Sequence, residues 1–136
     1  MKYMLIMNSP RDGYDQYMSW PRELLEANAA FMESFTRKLS NAGELVATVG
    51  LASPQQAKLV RAGKDGKPIT DGVFPESKEY LAGYWIIDVD TPERALEIAA
   101  EAGTAPGKSV TKSDGTTVEH LWIEVREVLD GRQDIK

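Results

Sequence analysis

His120, Trp122, Glu124 and Arg126 occupy alternate positions near the end of the chain, so a strand there turns all of them toward one face. Together they offer an imidazole that titrates near neutral pH, an indole wall, a carboxylate, and a guanidinium able to clamp a ligand carboxylate. Each also has a structural use. A single histidine on a strand serves packing as readily as acid–base chemistry, Arg126 can simply pair with Glu124, and Trp122 and Tyr84 suit a core or an interface as well as a ligand wall. The stretch from Asp71 to Tyr84, DGVFPESKEYLAGY, joins a turn-forming start and charged residues directly to an apolar strand. Asp71 can orient His120 or a water, although an Asp-Gly pair usually serves the turn itself. Glu76, Lys78 and Glu79 fit either a pocket entrance or a solvated sheet edge. The candidates are therefore His120 and Asp71 for catalysis, and Arg126, Glu124, Trp122, Tyr84 and His120 for ligand binding.

Other chemistries find little support. The chain has no cysteine and one histidine, which removes thiol catalysis, disulfides and thiolate metal sites and makes zinc improbable. Asp65, Asp71 and Glu76 do not form a calcium-loop pattern, and the glycines do not follow a strand-to-helix phosphate fingerprint. No metal and no cofactor is expected. A formal net charge of -5 without a Lys/Arg run disfavours nucleic acid and anionic membranes as partners. The apolar start Met1–Met7 meets Asn8, Ser9, Pro10 and Arg11 too soon for a signal-peptide core or a membrane span, so the expected location is the cytoplasm.

The elements that must position these residues follow from periodicity. Length (136 residues) and a 42% hydrophobic content fit a single domain spanning 1–136 with a real core. Tyr3–Met7 reads as a buried strand. A helix is expected from near residue 20, behind Ser19, Trp20 and Pro21. It carries Leu24, Asn28, Phe31, Phe35 and Leu39 on one stripe and stops at Gly43. Leu45–Leu51 reads as a strand, and Asp65-Gly66 as the turn of a hairpin arm. Tyr80–Val89 is a strand apolar on both faces. Asp90-Thr91-Pro92-Glu93 opens a second helix that ends at Gly103. Residues 104–117 read as a loop, and Val118–Leu129 as the last strand. The sum is an α+β chain, a ferredoxin-like split βαβ sandwich with an inserted β-hairpin arm.

Two helices cover one sheet face only. The other face carries His120, Trp122, Glu124, Arg126 and Val128, and Tyr80–Val89 has bulky apolar groups on both its faces, so a sizeable apolar patch would be left in water. A homodimer with its sheets packed face to face removes that exposure. Folding of the arm or the 104–117 loop over the sheet is the monomeric alternative.

The ordered set Asp71-Gly72-Val73-Phe74, Glu76, Lys78-Glu79, Gly83-Tyr84, the helix around Ala95 and Ile123-Glu124-Val125-Arg126 resembles the YCII-related family, in its branch known as DGPF-domain proteins. The resemblance implies a ferredoxin-like fold assembled as a dimeric α+β barrel, and it implies no settled reaction. Val73 stands where the motif usually has proline, with Pro75 after Phe74, and Glu127 replaces a proline common after Glu-Val-Arg. A His/Asp pair proposed for some members has no counterpart, because the first helical region here lacks histidine. The expected function is a small soluble homodimer binding an anionic or aromatic metabolite in a cavity on the sheet face. Two alternatives stay open, a cofactor-independent enzyme of the dimeric barrel type (proton transfer, hydrolysis or oxygenation) and a protein-binding regulatory module.

Overall fold

The computed structural model describes residues 1–71, 79–108, 110–111, 114–118 and 122–129. Strand β1 (Lys2–Ser9) leads into a short helix α1 (Gly13–Met18) and the long helix α2 (Arg22–Asn41). Then come β2 (Leu45–Gly50), a hairpin of β3 (Leu59–Ala62) and β4 (Pro68–Asp71), β5 (Tyr80–Asp88) and helix α3 (Pro92–Ala102). The short strands β6 (Val110–Thr111) and β7 (Thr117–Val118) pair with each other, and β8 (Ile123–Glu127) completes the main sheet.

That sheet has four strands in the order β2-β5-β1-β8, and all its neighbours are antiparallel. Numbered along the chain, its strands run 2-3-1-4 with a helix after the first and the third. This α+β arrangement is compatible with the expected ferredoxin-like fold. β3 and β4 form a separate two-stranded sheet, the expected hairpin arm, with Lys67 N donating to Asp65 Oδ1 at 3.0 Å in its turn.

Local chemistry explains the helix ends. Gly43, at φ +73°, closes α2: its N–H reaches Ser40 O at 3.0 Å, and Glu44 N reaches Leu39 O at 2.9 Å. This pair of bonds satisfies carbonyls that a helix end would otherwise orphan. α3 begins with Thr91 Oγ1 accepting from Arg94 N at 3.1 Å and with Pro92 in its first turn. The expected helix near residue 20 starts at Arg22, with Pro21 in the capping position in place of Ser19. Between β1 and α2 lies the short helix α1, an element beyond those expected from the periodicity.

Both long helices lie on one face of the sheet. Phe35 and Leu39 of α2 and Ala95, Ile98, Ala99 and Ala102 of α3 bury against Leu5, Trp85 and Ile87. Phe35 meets Trp85 edge to face at 5.3 Å and 84°, a favoured aromatic geometry. Register puts Tyr3, Leu5 and Met7 beside Ile87, Trp85 and Gly83 on this covered face, and Met4 and Ile6 beside Ile86 and Tyr84 on the open one. Gly83 has a steric reason to be glycine, since a Cβ there would sit 2.7 Å from Val49 O. Gly83→Ala is expected to cost about 1–3 kcal/mol, read from the urea midpoint, because a backbone carbonyl cannot step aside.

Arg94 fastens α3 to the start of β2. Its Nε and Nη2 each lie 2.9 Å from a carboxylate oxygen of Glu44, whose side chain is 17% exposed. The Arg94 hydrogen bond holds the Glu44 carboxyl below its usual range, against the opposing effect of burial. A carboxyl with a depressed folded pKa stabilises above its unfolded pKa, and that contribution disappears as pH falls through the folded value. Glu44→Gln is therefore expected to lose about 1 kcal/mol at pH 7. The gap to wild type should close below about pH 4 in urea titrations at each pH.

Candidate functional site

A cavity of about 420 Å³ opens where β1, β2 and β5 reach one end of the sheet beneath α1 and the middle of α2. The volume lies within the range of small-molecule sites, about 300–1,000 Å³. Met7, Thr48 and Trp85 supply its sheet side, Asn28, Met32 and Thr36 its α2 side, and Gly50 to Ala52 with Pro54 its rim. Tyr14 and Tyr17 from α1 and Trp20 from the joint before α2 form an aromatic flank. Tyr14 and Tyr17 are one helical turn apart, and the rings of Tyr17 and Trp20 sit 5.1 Å apart at 58°. β1 carries a bulge between Met7 and Asn8, where Asn8 and Ser9 also line the cavity. A bulge re-aims side chains at a strand end, and here it does so at the cavity wall.

Among the described residues, none that lines the cavity is Asp, Glu, Lys, Arg or His. The side-chain polarity of these residues comes from hydroxyls and amides. Thr48 Oγ1 donates to Tyr84 O at 3.0 Å, and Asn28 Nδ2 donates to Pro106 O at 2.9 Å.

The second of these bonds belongs to a strap, residues 104–108, that meets α2 and Trp20 beside the cavity. Gln16 of α1 grips the backbone of Thr111 twice, Nε2 to the carbonyl at 3.0 Å and Oε1 from the N–H at 3.1 Å. Asn28 holds Pro106, and a Cβ at Gly107 would overlap the Trp20 indole. Glycine is thus what lets the strap lie against a cavity residue. Gly107→Ala is expected to push Trp20 aside and red-shift tryptophan emission at a stability cost of about 1–2 kcal/mol. An unchanged spectrum would contradict this packing.

The residues singled out from sequence do not gather at one place. Tyr84 borders the cavity, where its carbonyl accepts from Thr48 Oγ1, while its register with Ile6 puts its side chain on the open face. Glu124 and Arg126 follow on β8, beside Ile6 and Met4 on the open face, with Arg126 Nε 3.6 Å from Glu124 Oε2. At 71% and 46% side-chain exposure this ion pair adds little stability. Trp122 does not share their face: it precedes β8, is 82% exposed, and borders a shallow depression with Leu96, Ala99 and Gly103 of the α3 side. The alternation that grouped it with Glu124 fails because β8 begins only at Ile123. His120 lies outside the described residues, as do Glu76 and Lys78. Of Asp71 only the backbone, which closes β4, is described. Among the described residues there is no cluster of His, Cys, Asp or Glu that could hold a metal ion, and no helix long and apolar enough to cross a membrane.

Sequence reasoning missed Tyr14, Tyr17, Trp20 and Asn28. Two signals were available: aromatics at three-residue steps, and one amide in an otherwise apolar helical stripe.

The 2-3-1-4 antiparallel sheet, helices on one face and uncharged end cavity define a small α+β protein compatible with the ferredoxin-like class. More narrowly, the family model for the YCII-related domain matches residues 1–110, and the chain belongs to that family. The matched span includes every cavity-lining residue and stops short of β8. An uncharacterised protein of Rhizobium meliloti (strain 1021) is 29% identical over 87 residues, 64% of this chain and 70% of that protein.

Proposed function

We propose that this YCII-related protein binds a small, uncharged aromatic molecule in the cavity beneath α2, and that it does so as a homodimer joined through the open sheet face. The uncharged, aromatic-flanked cavity of about 420 Å³ is the observation that carries the binding reading. Of the two ligand types expected from sequence, it favours the aromatic one. An anion entering there would lose hydration with no ammonium or guanidinium among the described lining residues to replace it. Binding is preferred to acid–base catalysis for a related reason: among the described residues no imidazole, carboxylate or amine lines the cavity.

The test uses the neutral fluorophore N-phenyl-1-naphthylamine. Wild type is expected to bind it with enhanced emission, Thr36→Trp to abolish binding by filling the cavity, and Arg126→Ala to leave it unchanged. Loss in Arg126→Ala with retention in Thr36→Trp would move the site to the open face.

The dimer is supported by the composition of that face. Met4, Ile6, Tyr84 and Ile86 lie together across the central strands, and Val49 on β2 beside Tyr84 is 41% exposed. Lys2 and Asp88 at one end and Glu124 and Arg126 on the outer strand make a charged border, the usual plan of an interface with an apolar centre. Two such sheets facing each other would form the dimeric α+β barrel. A protein-binding role has its own support in the hairpin arm, where Val60 is 61% exposed and Leu59 and Ile69 about 40%. Replacing residues 60–69 by a short turn would remove such a contact and leave fluorophore binding intact.

A further inference from the structure

We infer that the cavity selects aromatic ligands bearing a hydroxyl group, and that Asn28 Oδ1 is the acceptor that recognises it. The inference rests on the cavity-binding reading proposed above and adds to it the ligand's chemical class.

A carboxamide has donors only on its nitrogen and acceptor capacity only on its oxygen. Pro106 O can only accept, so the 2.9 Å contact fixes Asn28 with Nδ2 toward the strap and leaves Oδ1 for another partner. No described residue donates to Oδ1. Nor is that oxygen sealed in, because the described structure contains no buried side-chain nitrogen or oxygen without a partner. Asn28 therefore brings an oriented, reachable acceptor to the wall of a mostly apolar cavity.

Its surroundings narrow what can use it. Asn28 shares the α2 side of the cavity with Met32 and Thr36, at successive four-residue steps of the helix, in a lining that is mostly apolar. Water on an acceptor so placed is open to displacement. A ligand donor that replaces it gains the hydrogen bond as well as ring burial. No described lining residue is a carboxylate that would attract a cationic amine, so the donor that fits is a neutral one, which a hydroxyl supplies. Trp20, Tyr17 and Trp85 supply flat surfaces for the ring that carries it. The strap then has a function: Pro106 sets the amide's orientation, and Gly107 lets the strap approach closely enough to do so.

The test compares 2-naphthol with the near-isosteric 2-methylnaphthalene, each displacing N-phenyl-1-naphthylamine. A plain apolar slot prefers the methyl compound, because burying an unpaired hydroxyl is unfavourable. Wild type is expected to bind 2-naphthol at least as tightly as 2-methylnaphthalene. Asn28→Leu is expected to shift the ratio about tenfold toward the methyl compound while retaining affinity for it. A wild-type preference for 2-methylnaphthalene would overturn the inference, even if Asn28→Leu failed to fold, and would leave the cavity reading standing. An equal ratio in wild type and a folded Asn28→Leu would overturn it too. If wild type bound neither compound nor the fluorophore, the cavity reading would fall first and this inference with it.

Discussion

Trp85→Ala is expected to destabilise the protein by about 3–5 kcal/mol, the range for removing a large aromatic from a packed core. Trp85 is 3% exposed, stands between Leu5 of β1 and Thr48 of β2 in the sheet register, and receives the edge contact of Phe35 from α2. Its removal thus takes out the point where the central strand meets the long helix. A chain of this size commonly has only about 5–15 kcal/mol in total, so the variant should unfold at a much lower urea concentration. The same indole borders the cavity. One residue therefore joins core and site, and the surrounding chain relaxes only partly into the space it leaves. Trp85→Phe keeps a ring against Phe35 and is expected to lose less than half as much, about 1–2 kcal/mol. A loss below about 1 kcal/mol in Trp85→Ala, with unchanged urea dependence, would contradict its place in the core.

Elements with strong local chemistry were readable from the residues. Thr91-Pro92 and Gly43 act through their own backbone geometry and hydrogen bonds, and both mark the helix ends expected of them. In β5 the alternation separates two sets of side chains, but both sets are apolar, so it does not say which one the helices cover. Helix α1 escaped notice for the converse reason. It has six residues, none buried, so no apolar stripe exists to reveal it, and the turn composition of Asn8–Gly13 runs into its first residue. Trp122 was misplaced because alternation was extended through residues that precede β8. The cavity itself was illegible for a topological reason: its walls come from β1, α1, α2, β2 and β5, positions 7 to 85, and only the fold brings them together. A search along one strand finds residues that share a face. It cannot find residues that share a space.

Ile86→Glu separates assembly from folding. Ile86 is on a central strand, beside Met4 of β1 and Ala47 of β2, in the middle of the open face. In a monomer that side chain points away from the helices and is half-buried among its strand neighbours, so a carboxylate there still reaches water and the fold should lose only about 1 kcal/mol. In a face-to-face dimer the two-fold axis brings two copies of the same patch together, and two carboxylates would be desolvated near each other without a cationic partner. The expected result is a dissociation constant raised at least about a hundredfold, an effect of about 3 kcal/mol or more, with an unchanged far-ultraviolet circular dichroism spectrum. Sedimentation across a concentration series reads the first quantity, and the spectrum guards against misfolding. Ile86→Gln, which carries no charge, should weaken the dimer less. A buried carboxyl also has a raised pKa, so the glutamate variant's dimer should recover partly as pH falls toward about 5, where the neutral acid is the form that can be buried. A folded glutamate variant that dimerises as tightly as wild type would rule the open face out as the interface. The exposed Leu59, Val60 and Ile69 of the arm would then be the next surface to test.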